Sequence, residues 1–131
     1  EAYFIRAYAK NNLGDPQGAI ADYSEAIKLN PKLANAYLNR GTIRLYGIRD
    51  YSGAIEDFTK SIAMNPPSQI LLKAISSRAQ AKIYMQDLSG MCEDQRLGYK
   101  LVNSSPDLKH LKNDINYNKS IKEVLSFCPK S

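Results

Sequence analysis

The chain has 131 residues, enough for one compact unit with a sizeable core, and its 44% hydrophobic and 24% charged residues are an ordinary balance for a globular protein. No apolar run approaches the ~20 residues of a membrane-spanning helix, so membrane insertion is not expected. The net charge of +5 is concentrated in residues 96–131, which carry seven Lys and Arg against three acidic residues, and the near-neutral remainder argues against nucleic-acid binding.

Two features of the sequence bear on its cellular context. The chain begins inside a predicted helix with neither an initiator Met nor a signal-peptide profile, which favours a piece of a longer, cytoplasmic protein, with an exported parent as the alternative. Cys92 and Cys128 are too few for a disulfide framework. Cys92 follows Met91 in a predicted helix, so we expect a small apolar core residue there, with a Cys92–Cys128 bridge as the alternative.

The first predicted hairpin occupies residues 1–33. Its first helix runs from about Ala2 to Asn12 and ends at Gly14, because Gly readily adopts the left-handed conformation that follows a helix. Asp15 is the predicted N-cap of the second helix, and Pro16 occupies its first position, where the missing N–H costs nothing. The residues of the second helix that recur at helical spacing and are predicted to face the core are Ala19, Ile20, Tyr23, Ala26 and Ile27.

The second predicted hairpin occupies residues 34–67. Gly47 ends its first helix, and Asp50 caps its second helix. Gly41 and Ala54 are small residues at the positions where the two helices are expected to cross closely. A larger side chain at Gly41 is therefore expected to push the helices apart.

A third, weaker hairpin is predicted over residues 68–106. Asp87 is the predicted cap of its second helix, but Met91 and Gln95 replace the small and aromatic residues of the earlier hairpins. Over about residues 107–127 a broken apolar stripe predicts one long helix or two short ones, with residues 116–118 as the candidate interruption. We interpret residues 107–131 as a segment that caps the last hairpin.

The hairpins repeat one another. First-helix positions are offset by 34 residues, as in Tyr3 and Tyr37, and second-helix positions by 35 residues, as in Tyr23 and Phe58. The pattern of an aromatic residue, a small residue, Ala-x-x-x-aromatic and a closing Pro at this period resembles the tetratricopeptide repeat. The resemblance implies an all-α fold, a right-handed α-solenoid of three helical hairpins plus a C-terminal capping helix.

The same resemblance implies a binding site. In the tetratricopeptide family the first helices of the hairpins line a concave groove that holds an extended peptide or a partner's helix. Amides and hydroxyls suit a peptide backbone, and aromatic rings cover its side chains. The residues of this sequence that match groove positions, and that we predict to contact a peptide, are Phe4, Tyr8, Asn11, Asn39, Thr42, Tyr46, Lys73, Ser77, Gln80 and Tyr84. Leu38 and Leu45 are also expected to point into the groove.

One group within the family can be tested against the sequence. These tetratricopeptide domains grip the C-terminal carboxylate of heat-shock chaperones with Lys and Asn on the first helix, Asn on the third, and Lys and Arg on the fifth. The matching positions here are Phe4, Tyr8, Asn39, Lys73 and Ser77, of which only Asn39 and Lys73 agree. The cations missing at Phe4 and Ser77 remove most of the carboxylate attraction, so this clamp is not expected.

Catalytic and metal-binding chemistry has little support in the sequence. His110 is the only histidine and lies near Lys109 and Lys112, no Cys/His cluster has metal-ligand spacing, and no Gly-rich phosphate loop is present. We therefore predict no enzyme activity, no cofactor and no metal. The acidic residues of the second helices are interpreted as solvated helix faces, namely Asp22, Glu25, Glu56, Asp57, Glu93 and Asp94.

The sequence thus predicts a non-catalytic module that binds a protein or peptide partner in the groove of its first helices. The alternative is a structural spacer or self-association scaffold with no peptide ligand. Lys109, Lys112 and Lys119 are interpreted as solubilising residues of the capping segment rather than as an RNA- or membrane-binding surface.

Overall fold

The computed structural model describes residues 2–130, and every regular element in that range is helical. Glu1 and Ser131, the outer limits of the predicted segments 1–33 and 107–131, lie outside the described residues. The helices are α1 (Ala2–Asn12), α2 (Pro16–Leu29), α3 (Ala34–Tyr46), α4 (Tyr51–Ala63), α5 (Ser68–Tyr84), α6 (Leu88–Ser104), α7 (Lys109–Lys112) and α8 (Ile115–Ser126), with a 3-10 turn at Pro106–Leu108. The chain divides into two compact units, the first ending at Pro66 and the second beginning at Pro67. None of the helices within residues 2–130 is long and apolar enough to cross a membrane.

The second helix of each hairpin begins with the same cap. Asp15, Asp50 and Asp87 each accept a hydrogen bond from the backbone N–H three residues later, at 2.9, 3.0 and 2.9 Å. Each of these donors is a glycine at which an added Cβ would lie only 2.1–2.2 Å from the capping carboxylate. The three predicted caps are therefore confirmed, and the Asp-x-x-Gly spacing explains where α2, α4 and α6 begin.

In the first unit α1 packs against α2, α2 against α3, and α3 against α4. The helices α3 and α4 approach closely at Gly41, where an added Cβ would lie 2.8 Å from the buried ring of Phe58. Ala54 is also fully buried. The close approach predicted at Gly41 is confirmed, because no larger residue there fits without moving the Phe58 ring. For Ala54 the structure shows the burial that a small crossing residue requires.

In the second unit α5 packs against α6, and α8 contacts both α6 and α7. The interruption predicted at residues 116–118 is wrong, since these residues lie inside α8. The chain breaks instead at Asn113 and Asp114, where the Asp114 carboxylate accepts a hydrogen bond from the N–H of Tyr117 at 3.0 Å and starts α8. Asn118 donates its amide to the carbonyls of Lys112 and Asp114, so it supports the turn rather than ending the helix. Of the two alternatives left open, two short helices are correct.

The two cysteines form a disulfide that joins α6 to the residues after α8. Cys92 and Cys128 have Cα atoms 5.7 Å apart and are 4% and 8% exposed. The expectation of an unpaired core thiol at Cys92 is therefore wrong, and the alternative bridge is present. The sulfur atoms meet because α8 runs beside α6, a proximity that a sequence separation of 36 residues does not indicate.

Candidate functional site

The buried ring of Tyr23 on α2 organises the predicted site residues of the first unit. Tyr23 is 1% exposed, and the ring of Phe4 packs edge-on against it with centroids 5.3 Å apart. Burial raises the pKa of the Tyr23 phenol above its ordinary value of 10.0, while a side-chain hydrogen bond with Asn39 of α3 opposes that rise and Tyr8 adds a small repulsion. Phe4, Tyr8 and Asn39, from two different helices, are thus brought around one side chain.

The other predicted site residues of the first unit differ in their solvent exposure. Tyr8 and Tyr46 expose 60% and 61% of their surface, and Asn11 is exposed. Thr42 is half-buried and donates its hydroxyl proton to the carbonyl of Leu38 at 2.8 Å. The Thr42 oxygen can therefore accept a hydrogen bond from a ligand, but its proton is already used within α3.

Leu38 and Leu45 are 3% and 1% exposed, so they are core residues and are not open to a ligand as expected of residues that point into a groove. The apolar face of α3 is therefore wider than the sequence analysis predicted. Aliphatic side chains at the edge of such a stripe become buried because removal of their apolar surface from water is favourable.

A cleft that was not predicted opens beside Phe4. It has a volume of about 390 Å³ and is lined by Phe4, Ala26, Leu29, Asn30, Leu33 and Asn35. Leu29 at the end of α2 is 70% exposed. The signal in the sequence was an apolar residue at the last position of a helix, directly before the Asn30-Pro31 break. Apolar walls with two amides can hold an aliphatic side chain and bind the backbone next to it.

The four predicted residues of the second unit all lie on α5. Lys73 and Tyr84 are exposed, Tyr84 by 50%, whereas Ser77 and Gln80 are half-buried. They follow one another at intervals of four, three and four residues, so they share one side of the helix. This stripe carries a cation, a hydroxyl, an amide and an aromatic ring.

A charged arrangement recurs in all three hairpins. In each hairpin an Arg of the first helix donates two hydrogen bonds to an Asp of the second helix. The pairs are Arg6–Asp22 at 2.8 and 2.8 Å, Arg40–Asp57 at 2.9 and 2.7 Å, and Arg78–Asp94 at 2.9 and 2.6 Å. The three Asp residues are only 1–3% exposed. The expectation that Asp22, Asp57 and Asp94 lie on solvated faces is therefore wrong, because each is drawn inward by its Arg partner.

Each buried Asp also meets a second cation, one turn after the Arg. The distances are 3.0 Å for Lys10–Asp22, 2.8 Å for Arg44–Asp57 and 2.9 Å for Lys82–Asp94. The hydrogen bond from Arg6 lowers the pKa of Asp22 to about 2, with Lys10 adding to the effect and burial opposing it. The signal available in the sequence was a cation four residues after an Arg in every first helix, which places both cations on one face.

These clusters tie the two helices of a hairpin together. Each holds its carboxylate between two cations, which is unsuited to a general base or a metal ligand. Within residues 2–130, no group of three or more His, Cys, Asp or Glu side chains is arranged to hold a metal ion.

Part of the sequence also matches a known repeat family. The family model described as the TPR (tetratricopeptide) repeat matches residues 7–45, which run from α1 through the second-last residue of α3. No curated protein matches the chain significantly.

Solved structures resemble the chain over nearly its whole length. The N-terminal domain of stress-induced protein-1 (STI-1) from C. elegans has a TM-score of 0.78 and 18% sequence identity, over 94% of this chain and 91% of that chain. The first TPR domain of Spaghetti (RPAP3), bound to the HSP90 peptide SRMEEVD, has a TM-score of 0.71 and 19% identity, over 95% of this chain and 91% of that chain. The expected all-α fold is thereby confirmed.

Proposed function

Because this chain is a tetratricopeptide-repeat chain, we propose that it is a non-catalytic interaction module that binds an extended segment of a partner protein through its first helices. One observation carries the proposal: α1, α3 and α5 each present a tyrosine, Tyr8, Tyr46 and Tyr84, that is 50–61% exposed. Tyrosine rings offer large contact area at low entropic cost and retain a hydroxyl for hydrogen bonding.

Amide groups beside these rings supply the contacts that a peptide backbone needs. The half-buried Asn39 lies beside the buried Tyr23 and lowers the pKa of its phenol, and an amide side chain has donor and acceptor positions beyond that one interaction. Gln80 and Lys73 are the corresponding polar groups of α5. A preorganised amide loses little entropy when it binds, so Asn39 is the polar contact we expect to matter most in the first unit.

The cleft beside Phe4 indicates the kind of side chain that the ligand would carry. Its walls are mainly apolar, and no charged residue lines it. The RPAP3 neighbour is bound to an acidic peptide, but Phe4 and Ser77 supply no positive charge here. We therefore propose a ligand held by its backbone and by one aliphatic side chain, rather than by a carboxylate.

The proposal is tested with a displayed library of random peptides selected on the wild-type protein. Binding of the best peptide is then measured by fluorescence anisotropy for Asn39→Ala and for Lys73→Ala, made separately. We expect Asn39→Ala to weaken binding about tenfold, since one or two backbone hydrogen bonds are lost. Lys73→Ala should weaken it by a smaller factor because a flexible exposed cation contributes little.

Matched controls come from second helices, where Gln17 of α2 is an exposed amide and Lys100 of α6 is an exposed lysine. Gln17→Ala and Lys100→Ala should leave the affinity unchanged. Equal losses in the second-helix and first-helix variants, or no selectable peptide at all, would contradict binding through the first helices. Circular dichroism of each variant separates loss of binding from loss of folding.

Self-association is the second candidate, and it rests on a different observation. Ile5 and Leu13 expose 66% and 85% of their surface in the first unit. If the chain is a scaffold that stacks on copies of itself, light scattering should give a mass above that of the monomer, and Ile5→Lys should lower that mass. Under the peptide-binding proposal the mass is the same for wild type, Ile5→Lys and Asn39→Ala.

The cytoplasmic location expected from the sequence remains a prediction. The disulfide between Cys92 and Cys128 bears on it, because buried disulfides persist mainly in oxidising compartments. In the cytoplasm both residues would be expected as thiols, and the protein trapped with an alkylating agent would carry the label on each of them.

A further inference from the structure

Helix α8 is covalently joined to α6, yet its own packing is slight. None of the residues in Ile115–Ser126 is buried. Ile115 at its start is 82% exposed, and Phe127 just after it is 88% exposed. The packed face of α8 consists of Tyr117, Ile121, Val124 and Leu125, which are only half-buried. Since burial of an apolar face supplies most of the stability of a helix in a folded protein, this face holds α8 on α6 less firmly than a fully buried one would.

Two bonds that hold the end of α8 come from one face of α6, and Tyr99 lies on the same face. Cys92, Arg96 and Tyr99 are spaced four and three residues apart, which places them on the same side of the helix. Cys92 is bonded to Cys128, and Arg96 donates a hydrogen bond to the carbonyl of Pro129.

At the other end of α8, Tyr117 is only half-buried. Burial raises the pKa of the Tyr117 phenol above 10.0, and Tyr99 adds a smaller electrostatic effect. The disulfide between Cys92 and Cys128 is thus the strongest bond that holds α8 beside α6, and it is the one that a reductant can open.

We propose that the Cys92–Cys128 disulfide is a redox latch, whose reduction releases α8 and uncovers the face of α6 that carries Cys92, Arg96 and Tyr99. The α5–α6 hairpin does not depend on the latch. Arg78 and Lys82 of α5 pair with the buried Asp94 of α6 at 2.6 and 2.9 Å, and Ala74, Ile75 and Ala79 of α5 are buried.

The opening step is a thiol–disulfide exchange with a dithiol. A thiolate of the dithiol attacks one sulfur of the Cys92–Cys128 bond, which forms a mixed disulfide and expels the other protein thiolate. The second thiol of the same reagent displaces the remaining protein sulfur and closes its own disulfide. The protein gains two electrons and two protons, and the dithiol loses the same number.

Access to the bond is expected from the side of Cys128. This residue lies beyond the last residue of α8, Ser126, in a segment with no regular structure. Helix ends fray, so the Cys128 sulfur becomes reachable without opening the hairpin that holds Cys92.

Hydrogen exchange read by mass spectrometry tests the latch in the whole chain. The oxidised protein, the protein reduced with dithiothreitol, and Cys128→Ser are compared. We expect amides of α8 to exchange about tenfold faster or more in the latter two, because the cross-link no longer limits local opening. Amides of α3 and α5 should exchange at unchanged rates.

Two controls keep the result decisive. Dithiothreitol added to Cys128→Ser should change nothing, because no disulfide is left to reduce. Trypsin cleavage after Lys119 and Lys122, both exposed on α8, should accelerate in the same two samples. Equal protection of α8 before and after reduction, an equal loss of protection in α5, or two alkylatable thiols in the unreduced protein would each overturn the proposal.

Discussion

The buried aspartates determine how the helices of a hairpin are held together at the level of single residues. Asp57 is 1% exposed and accepts hydrogen bonds from both Arg40 and Arg44. Burial of a carboxylate is costly in isolation, so its position is tolerated only because two cations already lie on the facing helix. Such a pair selects one alignment of the two helices, since a shift by one residue would leave a buried charge without a partner.

Asp22 makes the stability of the first hairpin depend on acid pH. Its pKa is lowered from 3.8 to about 2, chiefly by the hydrogen bond from Arg6. A carboxyl group with a lowered pKa in the folded state stabilises the fold fully above the unfolded value of 3.8, and this contribution is lost as pH falls toward 2. Wild type should therefore be more stable than Asp22→Asn at neutral pH, and the difference should shrink in acid.

The measurement is urea unfolding of both proteins from neutral pH down to about pH 2, the folded-state pKa of Asp22. Glu56→Gln serves as the control, because Glu56 is an exposed acid on α4 and its removal should give little difference at any pH. A stability difference between wild type and Asp22→Asn that stays constant with pH would contradict the assigned ion pairs.

At the scale of elements, local caps determine where the helices begin, and the size of one residue at each crossing determines how closely two helices pack. Gly41 and Gly98 both lie inside helices and both are buried, but their surroundings differ. A Cβ at Gly41 would lie 2.8 Å from the Phe58 ring, whereas a Cβ at Gly98 would lie 3.5 Å from Leu72 and 3.7 Å from Ile75. The first position is closed to any side chain, and the second has room for a methyl group.

This difference predicts opposite effects of one substitution. Gly41→Ala should lower the free energy of unfolding by about 1–3 kcal/mol, since the Phe58 ring must move within a filled core. Gly98→Ala should raise it by about 0.5–1 kcal/mol, because alanine loses less backbone entropy than glycine in a helix and makes an ordinary contact here. Thermal and urea unfolding of the two variants provide the comparison, and the same sign for both would show that the two crossings are equally tight.

At the scale of the whole molecule, most of the positive charge lies away from the predicted peptide-contacting residues. The net charge is +5, but seven of the 18 Lys and Arg residues lie within residues 96–131. Six more belong to the clusters around Asp22, Asp57 and Asp94. Among the predicted peptide-contacting residues, Lys73 alone is cationic.

We therefore predict that the acidic peptide SRMEEVD, bound by the RPAP3 neighbour, is not a specific ligand of this chain. Fluorescence anisotropy with the labelled peptide should show only a weak attraction that disappears with added salt, as expected for unpaired surface charges. Ser77→Arg, which restores one cation, should strengthen binding relative to wild type. Saturable, salt-resistant binding to wild type that is lost in Lys73→Ala would contradict the prediction.

Helix caps and helical spacing made much of the fold predictable from the sequence, because they depend on residues close together in the chain. The Asp-x-x-Gly caps of α2, α4 and α6 involve atoms three residues apart, and Gly14, whose φ is +82°, closes α1 within one turn. Helical spacing likewise identified Tyr23 and Ala19 as core residues, and both are buried. Such features depend on neighbours in sequence, so reading the sequence captures them. The division into three repeats and a cap, and the peptide-contacting set, remain predictions.

What only the tertiary structure decided involves residues that are distant in sequence. Arg40 and Asp57 are 17 residues apart, and Cys92 and Cys128 are 36 residues apart. Two of these residues were assigned the wrong surroundings from the sequence. Asp57 was placed on a solvated helix face, and Cys92 was expected to be an unpaired thiol. An aspartate or cysteine at a given helical position is compatible with water, an ion pair or a covalent bond, and only the packing of one helix on another selects among them.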